Sequence, residues 1–207
     1  MATVTTTLII GTGAGAGALV VFGHGDGFAA TLALTALDGQ RGFRVIHGGA
    51  DIGASVAGAG DVNGDGFADI IIGAPGAVPN GVSYAGSSFV LFGHGGGFAA
   101  TLDLDTFNAS QGFRVDGLNV NDFVGTQVAG AGDMNGDGFA DLLISAEGAD
   151  PDGRNAAGST YIVFGHGGAF DANINLNTLD GRDGFRIDGG NAGDRSGLSA
   201  SAAGDVN

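Results

Sequence analysis

The sequence predicts an all-β chain of four-stranded antiparallel sheets repeated about every 70 residues, and three observations point there. The decapeptide GDVNGDGFAD at 60–69 returns at 132–141 as GDMNGDGFAD, with Met134 in place of Val62, and a third copy opens at Gly204. The segment VFGHG at 21–25 returns as LFGHG at 91–95 and VFGHG at 163–167, and the triplet GFR starts at Gly42, Gly112 and Gly184, so these markers recur at intervals of 70 and 72 residues. Between them lie short β-branched or aromatic runs bounded by Gly, Asn and Asp, and no stretch sustains a helical period.

In the best-preserved unit the strands read as 124–131, 140–145, 159–165 and 184–188. The first of them, VGTQVAGAG, is rich in small residues, as is ASVAGAG from Ala54 one unit earlier, which suits a strand crowded near a central axis. The second is almost wholly apolar (Ile70, Ile71, Ile72; Leu142, Leu143, Ile144), as expected when neighbouring sheets cover both faces. Four-stranded sheets packed radially make a β-propeller.

With 207 residues, 43% of them hydrophobic, the chain is long enough for one domain with a substantial core. The 44 glycines sit at fixed repeat positions, as turns between short strands do. Twenty-two acidic residues against seven basic ones give a formal charge of −15, which makes nucleic acid an unsuitable partner and disfavours anionic membranes. No apolar run approaches a membrane span, no secretory signal heads the chain, and no cysteine is present to form a disulfide, a thiolate nucleophile or a zinc site.

Much of the negative charge lies in the two complete loops, where aspartates crowded together repel one another and attract a divalent cation. Calcium takes about six to eight oxygens in flexible geometry. The expected ligands are the side chains of Asp61, Asn63 and Asp65, the Phe67 carbonyl and the Asp69 carboxylate, and in the second loop Asp133, Asn135, Asp137, the Phe139 carbonyl and Asp141. An EF-hand requires a glutamate at the twelfth position, which is Ile72 in one loop and Ile144 in the other. A tight turn would use Asn-Gly and Asp-Gly in the same way. It does not require an aspartate at the ninth position of both copies. A third loop, bringing Asp205 and Asn207 against the N-terminus, would place Thr3 and Thr7 where carboxylates are needed, so weak calcium binding or none is expected there.

With these residues in view the chain resembles the FG-GAP repeats of integrin α-subunit propellers and of bacterial calcium-binding surface proteins. Phe123, Gly125 and the loop at 133–141 carry the resemblance, as do the loop at 61–69 and the Gly73, Ala74, Pro75 that follow it. The phenylalanine position reads as Ile52 in the earlier unit, and Gly-Ala-Pro becomes Ser145, Ala146 and Glu147 in the later one. The resemblance implies an extracellular or cell-surface module that binds a protein or glycan, with calcium rigidifying its loops.

Aligning Leu8 to Gly11 with Ile70 to Gly73 starts the chain at the second strand of a unit, and 198–203 supplies a first strand. The expected layout of the single domain at 1–207 is strands two to four of a blade at about 5–50, full blades at about 51–120 and 121–190, and the first strand of the split blade at about 196–207. Propellers have about 4 to 8 blades. Either two chains complete a six-bladed ring or the sequence is part of a longer one; the homodimer is the expectation.

His24, His94 and His166 share one repeat position and read as solvated residues in the turn leaving the third strand, far from one another. Arg44, Arg114 and Arg186 read as partners of nearby aspartates on the outer strand. There is no Gly-Xaa-Ser-Xaa-Gly elbow, zinc signature or phosphate loop, so the expectation is a non-enzymatic module, with a self-assembling scaffold and a hydrolase of extracellular polymers as the alternatives.

Overall fold

In the computed structural model residues 7–11, 17–24, 31–33, 37–48 and 51–204 are described. Their strands are β1 (Thr7–Gly11), β2 (Ala18–Phe22), β3 (Gly42–Ile46), β4 (Ser55–Gly60), β5 (Asp69–Ala74), β6 (Ser87–Leu91), β7 (Thr101–Asp103), β8 (Gly112–Asp116), β9 (Val124–Gly132), β10 (Asp141–Ala146), β11 (Ser159–Val163), β12 (Asn173–Ile174) and β13 (Gly184–Asp188). No α-helix occurs among them, and no helix is long and apolar enough to cross a membrane.

Three sheets result, in the orders β1-β2-β3-β7, β4-β5-β6-β8-β12 and β9-β10-β11-β13. The four strands expected of the unit from 124 are β9, β10, β11 and β13, paired antiparallel throughout. β7 and β12 were not foreseen. Each lies between the third and fourth strands of its own unit, yet pairs in parallel with the outer strand of the preceding sheet, β7 with β3 and β12 with β8. Two or three residues of pairing carry no periodic signal in the sequence.

The laps are anchored by aromatic residues. Phe98 stacks on Phe43 with centroids 4.5 Å apart, and at the equivalent place Phe170 stacks on Phe113 at 4.6 Å. The sheets pack face to face in chain order. Ala18, Val20, Phe43 and Val45 of the first sheet meet Ile72, Ala74, Phe89 and Leu91 of the second. The second sheet turns Ile71, Val90, Phe113 and Val115 toward Leu142, Ile144, Tyr161 and Val163 of the third. Consecutive residues of β5 thus serve two cores, which is why that strand is apolar along its whole length.

The strands rich in small residues are crowded, as expected. β4 and β9 approach so closely that the Val128 N–H donates to Ser55 Oγ at 3.0 Å, and a Cβ added at Gly73 would strike the Gly125 carbonyl oxygen. Gly125 itself sits at φ 91°, in the region that favours glycine.

Residues 198–203 carry no strand and lie in no sheet of the described residues. One expectation is corrected. The counterpart of Ile52 is Val124 rather than Phe123: Ile52 and Val124 are both buried, while Phe123 (φ 55°) and Asp51 (φ 62°) share the left-handed turn before them. The Phe123 ring leans on Tyr84 instead of entering the core.

The lap gives a direct test of what joins the sheets. Phe170→Ala removes the ring stacked on Phe113 and is expected to cost about 3–5 kcal/mol in urea unfolding, whereas an exposed alanine change such as Asp171→Ala is expected to stay within about 0.5 kcal/mol.

Candidate metal centre

Each acidic loop joins the first strand of a sheet to its second, β4 to β5 and β9 to β10. Glycines with positive φ let the backbone curl, Gly64 (74°) and Gly66 (88°) in one copy and Gly136 (77°) and Gly138 (95°) in the other. That curl turns a run of amides inward. Asp61 Oδ1 accepts from the N–H groups of Gly64 (2.8 Å) and Asp65 (3.1 Å), and its Oδ2 from Gly66 (2.9 Å). Asp133 makes the same three bonds to Gly136, Asp137 and Gly138 at 2.7, 3.1 and 2.9 Å.

The third and fifth positions brace each other. Asn63 Nδ2 donates to Asp65 Oδ2 at 3.0 Å, Asp65 N–H donates to Asn63 Oδ1 at 2.9 Å, and Phe67 N–H donates to Asp65 Oδ1 at 2.9 Å. Asn135, Asp137 and Phe139 repeat the pattern at 2.8, 3.0 and 2.9 Å.

The ninth-position aspartates differ from the rest. Asp69 and Asp141 are 1% and 0% exposed. Asp69 Oδ2 accepts from Val62 N–H (2.8 Å) and its Oδ1 from Gly93 N–H (2.8 Å); Asp141 accepts from Met134 N–H (2.6 Å) and Gly165 N–H (2.9 Å). Each carboxylate therefore ties the start of its loop to the turn leaving the third strand. Burial pushes the Asp69 carboxyl up to about 6, and the charges of Asp65 and Asp61 add to the rise against the two amides that oppose it. Asp141 is raised for the same first reason.

These loops supply hard oxygen donors, the chemistry calcium selects. Every carboxylate oxygen named above is engaged with an N–H, and each keeps lone-pair capacity beyond it. Among the described residues no three acidic or histidine side chains converge as a ready cage. The donor set fits a hard cation on chemistry: Asp61, Asn63, Asp65 and Asp69 would hold one ion, and Asp133, Asn135, Asp137 and Asp141 the other. Of the third loop, Thr3, Asp205 and Asn207 lie outside the described residues.

A cavity of about 650 Å³ opens beside the first loop between the first two sheets, lined by Phe22, Phe43, Phe67, Phe98, His94 and Asp69 among others. His94 and His166 are exposed in the turn leaving the third strand, as expected, and there each rests on a lap phenylalanine, His94 on Phe98 with centroids 4.1 Å apart and His166 on Phe170 at 3.9 Å. Arg114 and Arg186 reach Asp116 (3.1 Å) and Asp188 (2.7 Å), as expected of the outer strand. Asp116 was not singled out from sequence. It is buried and also accepts from Ser87 Oγ and from Asn173 Nδ2, both at 2.8 Å, which fixes the second lap.

The carboxyl of Asp69 binds its proton more tightly folded than unfolded, so between about pH 4 and pH 6 the folded chain holds more protons and stability falls as pH rises through that window. With calcium chelated, denaturant unfolding across that range is expected to show this decline, and Asp69→Asn combined with Asp141→Asn is expected to flatten it.

The FG-GAP repeat family profile matches residues 52–91 and 124–163, which span β4 to β6 and β9 to β11 with a loop in each. Relatives include mouse integrin alpha-2, 32% identical over 112 residues (54% of this chain, 8% of that protein), and mouse integrin alpha-E, 37% identical over 98 residues (45% and 8%). Bovine phosphatidylinositol-glycan-specific phospholipase D is 30% identical over 105 residues, covering 51% of this chain and 12% of that protein. The chain spans about a tenth of the length of these relatives. The chain thus carries two FG-GAP repeats, on the second and third of its three described sheets, and is similar to integrin α-subunits over about half its length.

Proposed function

We propose that this chain is a calcium-stabilised β-propeller module of an extracellular or cell-surface protein, and that it presents its loops to a protein or glycan. The observation that carries the reading is the duplicated loop. Six carboxylates are held in two short hairpins with identical internal hydrogen bonds, at a cost in mutual repulsion that a turn alone does not need. Asp61, Asn63, Asp65, the Phe67 carbonyl and Asp69 would hold one ion, and Asp133, Asn135, Asp137, the Phe139 carbonyl and Asp141 the other. Bound calcium would neutralise the cluster and lock the loop, so that metal occupancy and folding are linked. Extracellular calcium, near millimolar, suits modules with weak sites.

Relatives named integrin support the adhesion reading, and the formal charge of −15 opposes nucleic acid and anionic membrane as partners. We read the module as non-enzymatic. The phospholipase D relative shares only 12% of its length with this chain, so its activity does not transfer with the repeat.

Isothermal titration of the chelated protein with calcium is expected to show binding to both loops, with a rise in melting temperature of several degrees near saturation, since a site at a hundred times its Kd adds about 2.7 kcal/mol. Asp61→Ala together with Asp133→Ala is expected to abolish the heat and the shift. Absence of both in the unaltered chain refutes the calcium reading.

A further inference from the structure

The two acidic loops touch. They belong to different sheets, yet three contacts among the described residues join the oxygen-bearing positions of one to those of the other. The first contact lies at the head of the first loop, where Asp61 O accepts from Ala140 N–H at 2.9 Å. Asp61 is the first expected donor of its own loop, and Ala140 stands between Phe139 and Asp141, two expected donors of the other. The second runs between the buried carboxylates. Val62 N–H donates to Asp69 Oδ2 at 2.8 Å while Val62 O accepts from His166 N–H at 3.0 Å, and Gly165, one residue back, donates its N–H to Asp141 Oδ1 at 2.9 Å. Asp69 and Asp141 are thus linked through Val62 and the Gly165–His166 peptide. The third contact is a ring. A Cβ added at Gly64 would strike the ring of Phe139, and one added at Gly167 would meet the same ring at 3.1 Å, so Phe139 lies between the first loop and the turn leaving β11.

The joint is closely fitted. Val62 is 0% exposed in the core that also holds Leu142 and Val163, and a Cβ added at Gly60 would press on Ala140 Cβ. The hydrogen bonds from Ala140 and His166 form only when the head of the first loop and residues 139–141 of the second are both in place. Ordering either segment therefore orders the other.

We propose that the two loops bind calcium with positive coupling, the ion in one raising the affinity of the other, because both sites need the same joint to be fixed. The inference rests on the calcium reading and states how those sites are regulated. Such coupling needs no change of shape, since a second ion that meets an already ordered segment gives up less chain entropy, and it is reciprocal. One force opposes it. Filling one loop removes negative charge that attracts the second ion, but salt shortens that influence to about 8 Å at physiological ionic strength and about 3 Å at 1 M. Contact through peptides and a ring is not screened in this way. The module then becomes rigid over a narrower span of calcium concentration than two separate sites would give.

Isothermal titration separates the sites. Asp133→Ala leaves the first loop to bind alone and Asp61→Ala leaves the second, and the two constants so measured define the isotherm of independent sites. For the unaltered chain the product of the two stepwise binding constants is expected to exceed that reference about fivefold or more, at 0.15 M salt and at 1 M. Phe139→Ala keeps the carbonyl and removes the ring, and in the same three backgrounds it is expected to shrink the excess. Hydrogen exchange supplies a readout apart from heat: in Asp133→Ala, calcium is expected to slow exchange at the Ala140 and His166 amides, which donate into the first loop. The unaltered chain, whose loops differ only at Val62 and Met134 over 60–69 and 132–141, is expected to give a Hill coefficient above 1, a measurement that needs no variant to fold. Single-loop isotherms that reproduce the unaltered chain when summed, a Hill coefficient of one or below, or exchange at Ala140 and His166 indifferent to calcium would each overturn the coupling while leaving calcium binding in place. Absence of heat in every variant and in the unaltered chain removes the calcium reading itself, and the coupling with it.

Discussion

A buried carboxylate that bridges two backbone amides is the constraint on which each repeat depends. Asp69 joins Val62 N–H in the loop to Gly93 N–H beyond the third strand, and Asp141 does the same for Met134 and Gly165. Without that bridge, two amides in a nearly water-free place would lose their partners, and such groups are costly to leave unpaired. The bridge also fixes the loop relative to the next sheet. Val62 O accepts from His166 N–H at 3.0 Å, and Asp61 O from Ala140 N–H at 2.9 Å, so the first loop is part of the junction between the second and third sheets.

The cost of the arrangement is electrostatic. Burial already disfavours the charge on Asp69, and two further aspartates stand in the same hairpin. A divalent cation is the chemical group that converts this repulsion into attraction, which ties the acidic loop to the proposed function and makes loop rigidity a quantity set by solution conditions. The cores between adjacent sheets do not share that sensitivity, since the side chains that fill them are apolar and aromatic.

Those junctions are lapped as well as stacked. The connection between third and fourth strands reaches back over the preceding sheet, adds a short parallel strand there and drives a phenylalanine into it, Phe98 on Phe43 and Phe170 on Phe113. The first and second sheets are therefore each completed by the next at the outer edge, just as the first acidic loop reaches forward to the third sheet. A stack held this way is directional.

Local chemistry made the repeat, the strands and the acidic loops legible in the sequence. A period near 70 residues, Gly-Asp punctuation and wholly apolar second strands are properties of short windows, and β9, β10, β11 and β13 fall within a residue or two of where the windows put them. The small residues of β4 and β9 likewise announced a crowded strand before its neighbour was known. What only the tertiary structure decided depends on residues far apart in the chain. The laps of β7 and β12, the burial of Asp116 beneath Asn173, the stacking of His94 and His166 on the lap phenylalanines, and the alignment of Val124 rather than Phe123 with Ile52 all arise from contacts across sheets. The segment 198–204 shows the same boundary from the other side, because its composition marks it as a first strand, but a strand exists only where a partner edge is brought within hydrogen-bonding reach.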